Sequence, residues 1–187
     1  MRKILIASLV APTLLFAQTA GPGLKPGLWE VRVVKQVVDG RDISAQLSQA
    51  DRQMRQAMQS MPPEQRARME AMLGQHGMST GAGGGYRICL TPQMAKRDTP
   101  IIDRGGHCRM SQVTHSGSRT SFSFSCRSGG TTTTGTGVAS MSADRVSTRT
   151  DATTRDAKGG THTMQVESEM NFVNADCGDV KPLGQGK

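Results

Sequence analysis

Apolar and polar residues alternate along most of the chain, and this period of two predicts β-strands. The first strand covers residues 27–38 and ends at an Asp39-Gly40 turn. Further strands, separated by short turns, are expected over 86–90, 108–114, 118–126, 131–141, 146–154 and 162–173. Consecutive strands with short turns favour an antiparallel, strongly curved sheet, a meander that in its most closed form is a partly open barrel. On the first strand, one face is expected to carry Trp29, Val31, Val33 and Val37.

The period changes to that of helices between about residues 42 and 76. A first helix is expected to stop at Pro62-Pro63, which also suits the start of a second, and Gly77 can end the second. Apolar residues recur on them at three- and four-residue steps: Leu47, Ala50, Met54, Met58 and Met61, then Met69, Met72, Leu73 and His76. A Gly-rich linker follows at 80–85. The pair is therefore an amphipathic helical insertion into the sheet, and the fold class is α+β. A short helical turn is also expected at 91–96, with Thr91 as its cap and Pro92 at its first position.

The first seventeen residues have the pattern of a secretory signal peptide. Two cations, Arg2 and Lys3, precede an apolar run that contains Pro12 and ends at Ala17. Spanning a bilayer needs about 20 apolar residues, and no later stretch is apolar enough to cross one. We expect cleavage after residue 17, a soluble periplasmic product with one domain over 18–177, and a disordered tail at 178–187.

The net charge of +8 at pH 7 is spread along the chain rather than concentrated, and only 3% of residues are aromatic. Proteins that bind single-stranded nucleic acid stack bases on aromatic rings along a basic groove. We therefore expect no nucleic-acid partner.

Four cysteines, an even number, predict two disulfides in an exported protein. The favoured pairing is Cys89–Cys108, which flanks a short excursion, with Cys126–Cys177, which ties the last strand to the sheet. The other two pairings stay open. The chain lacks the CxxC and HxxxH spacings that are typical of zinc sites. No cofactor is expected.

An ordered set of motifs carries a family resemblance. It consists of residues 26–31 (PGLWEV), 61–66 (MPPEQR), 89–92 (CLTP), Cys108, 124–126 (FSC) and 176–177 (DC). The chain resembles the bacterial exported family known as domain of unknown function 3617, over nearly the whole mature part. The resemblance implies a periplasmic protein with paired cysteines, and it implies no activity.

The methionines of the helical insertion are the candidate binding residues, together with Trp29: Met54, Met58, Met61, Met69 and Met72. Methionine is flexible and suits an apolar face that packs on the sheet or on an adaptable partner. Thioethers also bind Cu(I), and His76 and Met78 are the weaker alternative for such a metal site.

Catalytic signals are few. The chain has no G-x-S-x-G elbow, and its four histidines, His76, His107, His115 and His162, fall in different elements. The favoured hypothesis is a non-catalytic exported module that binds an apolar small molecule or an envelope protein. The alternatives are an envelope hydrolase, a Met-rich Cu(I)-binding protein and an envelope-stress factor. The sequence leaves the oligomeric state open.

Overall fold

The computed structural model describes residues 23–75, 78–81, 85–97 and 107–182. The strands in these ranges are β1 (Gly27–Val38), β2 (Arg41–Asp42), β3 (Ser79–Thr80), β4 (Tyr86–Leu90), β5 (Cys108–Ser116), β6 (Arg119–Ser128), β7 (Thr131–Met141), β8 (Arg145–Arg155) and β9 (Thr161–Asn174). The helices are α1 (Ser44–Ser60), α2 (Pro63–Gln75) and α3 (Pro92–Ala95). The signal peptide predicted at 1–17 lies outside the described residues.

All strand pairs are antiparallel, in the order β3-β4-β1-β9-β8-β7-β6-β5, and β2 pairs with β1. Strands β5 to β9 follow one another as a meander, and β1 inserts between β9 and β4. The sheet does not close, because no pairing joins the edge strands β3 and β5 within the described ranges. The α+β class and the antiparallel sheet with an inserted helical pair are confirmed.

The core lies on one face of this sheet. Trp29 on β1 is fully buried and belongs to the same apolar cluster as Phe122 and Phe124 on β6, and three strands separate β1 from β6 in the order. A single apolar cluster that joins strands so far apart in the order requires a curved sheet. Glycines on β7 leave room for the Phe rings: a Cβ added to Gly137 would stand 2.3 Å from the ring of Phe122. A residue with a side chain at Gly137 would therefore push the ring out of place.

α3 forms at the predicted position. The hydroxyl of Thr91 accepts a hydrogen bond from the backbone N–H of Met94 at 3.2 Å, and Pro92 occupies the first turn. Ala95 is buried, and its carbonyl accepts from the N–H of Leu24 at 3.1 Å. The cap thus orients a turn that joins the start of the described chain to the core.

A β-bulge corrects the predicted face of β1. The register with β9 shifts between Val33 and Lys35, so that Val31 pairs with Met170 but Val38 pairs with Met164. Met164 and Met170 share a face of β9, because side chains on a strand alternate. Val37 therefore lies on the opposite face from Val31, and its predicted place beside Trp29 is wrong. A bulge adds one residue to one strand and inverts the alternation beyond it.

The disulfides join Cys89 to Cys177 and Cys108 to Cys126. The presence of two disulfides is confirmed, but the favoured pairing is wrong. Cys108 and Cys126 face each other across the β5–β6 hairpin. Cys89 lies on β4, far from β5 in the strand order. Cys177 follows the end of β9, and only β1 separates β9 from β4 in the sheet. Adjacency in the sheet, not the length of the intervening loop, decides the partners.

Residues expected to be unstructured are in part paired. Within the predicted tail, Pro182 forms an isolated bridge with Cys89, and residues 183–187 lie outside the described residues. Thr80, placed in the predicted linker, pairs with Tyr86 as part of β3. In the described part of the chain, no helix combines the length and the apolar character needed to cross a membrane.

Candidate functional site

The candidate binding residues do not share one location. Trp29 is 0% exposed; its indole N–H donates to the carbonyl of Lys25 at 2.9 Å, and its ring meets Phe172 edge-on at 5.8 Å between centroids. This is the environment of a core anchor, since a buried tryptophan needs a partner for its N–H. Met58 is buried at 9% exposure, whereas Met54 is 54% exposed. The structure therefore separates Trp29 from the exposed methionines.

α1 lies against the sheet on a different side from the predicted one. Its residues that are buried or half-buried are Ser44, Asp51, Arg55 and Met58. Met58 belongs to the predicted stripe, but on a helix of 3.6 residues per turn Ser44, Asp51 and Arg55 are displaced by roughly a quarter of a turn from its other members on α1, which are Leu47, Ala50 and Met54. As a result, Leu47 keeps 40% of its surface exposed. The apolar stripe of α1 is thus turned to the side of the sheet instead of onto it.

α2 is held to α1 by an arginine. The guanidinium of Arg66 donates to the carbonyls of Met58 at 3.2 Å, Gln59 at 3.0 Å and Met61 at 3.2 Å. These carbonyls lie at the C-terminal end of α1, where that of Met58 also accepts from the N–H of Met61 at 3.3 Å, and a cation there opposes the negative end of the helix dipole. Met69 is half-buried, and Met72 is 62% exposed. Arg66 therefore has a structural role that fixes the angle between the two helices.

A groove lies between α1 and β1, and we call it the α1–β1 groove. Its volume is about 410 Å³. It is lined by Arg32, Val33, Val34, Lys35, Gly85, Ser44, Ala45, Leu47, Ser48, Asp51, Arg52 and Arg55. Val33 and Val34 remain 50% and 49% exposed, and with Leu47 they give both walls of the groove apolar surface. The lining also contains four cations, Arg32, Lys35, Arg52 and Arg55, and one carboxylate, Asp51. The groove therefore combines apolar surface with positive charge.

The bottom of the α1–β1 groove is an interrupted sheet edge. On the side of β1 away from β9, pairing with β4 ends at Val31 and pairing with β2 begins at Val37. Gln36 is satisfied locally, because its N–H donates to the hydroxyl of Ser44 at 2.9 Å and its carbonyl accepts from the N–H of Ile43 at 2.9 Å. α1 thus replaces a strand along residues 32–36.

Gly85 closes the other end of this gap. Its φ is +82°, and an added Cβ would stand 2.1 Å from the carbonyl oxygen of Val31. Only glycine adopts such a conformation readily and lets the two backbones approach so closely. The groove is therefore bounded at one end by β2 and at the other by the turn into β4.

Two of the four cations in the groove are paired with carboxylates. Arg55 forms an ion pair with Asp51 one helical turn earlier, and the Nε of Arg32 is 2.8 Å from a carboxylate oxygen of Glu30. Lys35 and Arg52 form no ion pair with any residue of the described ranges. The groove consequently has an excess of positive charge.

His162 and Asp39 are hydrogen-bonded in the way that a catalytic histidine and carboxylate would be, but they hold a turn. The Nδ1 of His162 is 2.8 Å from Asp39, whose carboxylate also accepts from the N–H of Thr163 at 2.7 Å. The hydrogen bond with Asp39 and its negative charge raise the pKa of His162, and the same hydrogen bond lowers the pKa of Asp39. Both side chains are exposed and join the β1–β2 turn to the start of β9. The pair therefore stabilises a turn.

The weaker alternatives have less support in the described residues. There, no three side chains among His, Cys, Asp and Glu cluster so that they could hold a metal ion. His76, the proposed Cu(I) ligand, lies outside the described residues, and Met78 is half-buried with its N–H bonded to the carbonyl of Leu73 at 3.1 Å. A second depression, of about 620 Å³, lies on β7, β8 and β9, and most of its side chains are polar: Thr134, Thr136, Asp151, Thr153, Thr163 and Gln165.

None of the groove residues was among the sequence candidates for binding, although Leu47 belongs to the predicted apolar stripe of the first helix. One signal was available: Val33 and Val34 are consecutive, and in a regular strand one of two neighbouring residues points away from a one-sided core. Two adjacent valines therefore indicate either apolar surface outside the core or an irregularity such as the bulge found there. Arg52 and Arg55 lie beside the apolar stripe of α1, but only the rotation of the helix brings them to β1.

Known proteins resemble the chain in sequence. The family model described as Protein of unknown function (DUF3617) matches residues 24–177. An uncharacterized protein in the lpd-3 5' region of Pseudomonas putida is 38% identical over 107 residues, which cover 55% of this chain and 69% of that protein. No solved structure matches the chain.

Proposed function

We propose that this chain, which belongs to the DUF3617 family of proteins of unknown function, is an exported, non-catalytic binding module whose ligand occupies the α1–β1 groove. The N-terminal pattern of residues 1–17 supports export to the periplasm. Two disulfides, with no free cysteine in the described residues, suit an oxidising compartment.

The observation that carries the proposal is apolar surface concentrated on both walls of one concavity. Single exposed apolar residues are common on protein surfaces and need no explanation. Here Val33 and Val34 on β1 and Leu47 on α1 are each exposed by 40% or more and line the same groove. Small-molecule sites are concave and combine apolar surface with polar groups that orient the ligand. The groove is concave and has apolar surface on both walls, but more than half of its lining residues are polar or charged.

The architecture supplies a reason for the exposure. The buried side of α1 is largely polar, with Ser44, Asp51 and Arg55 towards the sheet, and its apolar stripe is displaced to the side. A helix that only covered the sheet would turn its apolar stripe inward. The displaced stripe leaves Leu47 available to a ligand.

Native mass spectrometry of the protein purified from the periplasm tests the proposal. We expect a mass above that of the mature chain with two disulfides, and loss of this added mass in Leu47→Asp. Because Leu47 is exposed and outside the core, the variant should fold. Met72→Asp is the matched control, since Met72 is more exposed and does not line the groove. Bare protein in every sample, or equal loss in both variants, would refute the groove as the binding site.

A further inference from the structure

We infer that the ligand of the α1–β1 groove is a single anionic amphiphile, with one phosphate or carboxylate headgroup and one apolar chain. The inference rests on the proposed function and adds the ligand's chemical class. It follows from the distribution of charge and apolar surface along the groove, and from its length.

The relative direction of α1 and β1 determines where the arginines of the groove lie. Ser44, the first residue of α1, is bonded to Gln36 near the end of β1. Later residues of α1 therefore run back towards earlier residues of β1, and Arg55 lines the groove together with Arg32 and Gly85. Arg32, Arg52 and Arg55 are consequently gathered at the end of the groove next to β4.

These three arginines suit an acidic headgroup. The guanidinium group presents several donors in a plane and binds phosphate or carboxylate oxygens in pairs. Arg55 is paired with Asp51, the single carboxylate in the lining, and Arg32 is paired with Glu30 outside it. Arg52 has no ion pair among the described residues and is exposed, so it is the cation most available to a ligand.

The middle of the groove suits the apolar chain. Val34 and Leu47 lie between the arginines and the Gln36–Ser44 hydrogen bond, on opposite walls. From Ser44 to Arg55 the helix rises by about 16 Å at 1.5 Å per residue. A single extended chain fits this length. The beginning of α1 is less suited to the headgroup, because Asp42 already accepts from the N–H of Ser44 at 2.9 Å.

An extended peptide fits the groove less well than an amphiphile. Residues 32–36 form an open sheet edge, to which a strand could add. However, β2 and the turn at Gly85 close both ends of this edge, and the two polar backbone groups of Gln36 are already bonded. A peptide strand would need to continue beyond these limits.

The test uses dodecyl phosphate below its micelle concentration, titrated by calorimetry into the mature protein with both disulfides formed. We expect saturable one-to-one binding, and no comparable binding of inorganic phosphate or of the neutral dodecyl maltoside. Because exposed charges are screened by salt, affinity should fall as the salt concentration rises. Equal affinity for dodecyl maltoside would refute the headgroup assignment, and equal affinity for inorganic phosphate would refute the chain assignment.

Two variants locate the binding. Arg52→Gln should weaken dodecyl phosphate binding about tenfold, the effect of one lost charge-assisted hydrogen bond. Arg68→Gln is the control, because Arg68 is exposed on α2 and does not line the groove; it should change affinity less than twofold, as expected for a distant screened charge. Equal weakening by both substitutions would indicate a general effect of charge and overturn the inference.

A vesicle experiment separates a single bound amphiphile from a membrane surface. Binding to anionic phosphatidylglycerol vesicles without binding of monomeric dodecyl phosphate would overturn the inference in favour of surface attraction. If dodecyl phosphate fails but the periplasmic protein carries a mass that Leu47→Asp removes, the ligand class is wrong and the proposed function stands. If both experiments fail, the groove is not a binding site.

Discussion

The two disulfides should differ in their contribution to stability, because they close loops of very different length. Cys89–Cys177 spans 88 residues, and Cys108–Cys126 spans 18. In the chain-entropy treatment, a crosslink restricts the unfolded chain by an amount that grows with the logarithm of the loop. At 25 °C the two loops correspond to about 4.6 and about 3.2 kcal/mol. The long-range disulfide is therefore expected to contribute about 1.4 kcal/mol more.

The assay is urea unfolding of the mature protein at 25 °C, compared between Cys89→Ala/Cys177→Ala and Cys108→Ala/Cys126→Ala. Each double variant controls for the other, because each removes two half-cystines and leaves no free thiol. We expect the larger loss of unfolding free energy in the first. Domains of this size are stable by only about 5–15 kcal/mol, so that loss should lower the midpoint strongly. An equal or larger loss in the hairpin variant would refute the reasoning.

Three further predictions follow from contacts in the sheet and the helices. Gly137→Ala should cost about 1–3 kcal/mol of unfolding free energy, because the new methyl group collides with the ring of Phe122 in a packed core; an unchanged urea midpoint would contradict this. Gly74→Ala should stabilise by up to about 1 kcal/mol, since glycine is a poor helix former and nothing stands within 4 Å of the new Cβ; thermal unfolding would show a lower melting temperature if this is wrong. The interaction with Asp39 raises the pKa of His162. It should therefore stabilise the fold fully below the unfolded-state pKa of about 6.5, and this stabilisation should be lost as the pH rises through the higher folded-state pKa. An NMR titration in which Asp39→Asn leaves the pKa of His162 unchanged would contradict this.

Local patterns were sufficient for most elements of the fold. The strands predicted over 86–90 and 131–141, the second from its threonine-rich composition, have the bounds observed for β4 and β7, and the Thr91-Pro92 pair predicted the start of α3. These features depend on residues close together in sequence. The pairing Cys108–Cys126 was within reach as well, because the predicted hairpin places both cysteines at the same distance from Gly117, on either side of the turn.

Other features depend on the position of one element against another. The bulge near Val34 arises where β1 has to pair with β9 while α1 occupies its other edge, and no residue type in the sequence marks it. The rotation of α1 follows from the anchor between Ser44 and Gln36 at its start and from Arg66 at its end. Amphipathicity predicted the helix but not which side faces the sheet. The groove depends on that rotation and could not be predicted.

The most direct test of the α1–β1 groove as the binding site is amide hydrogen exchange on the protein as purified from the cells that produce it. The reference is the same protein unfolded in guanidinium, washed free of ligands with its disulfides intact, and refolded. If the ligand binds in the α1–β1 groove, exchange should be slower in the ligand-carrying sample over residues 32–36 and 44–55. It should change little in the polar depression of β7, β8 and β9. Identical exchange in the two samples, or protection confined to that depression, would contradict it.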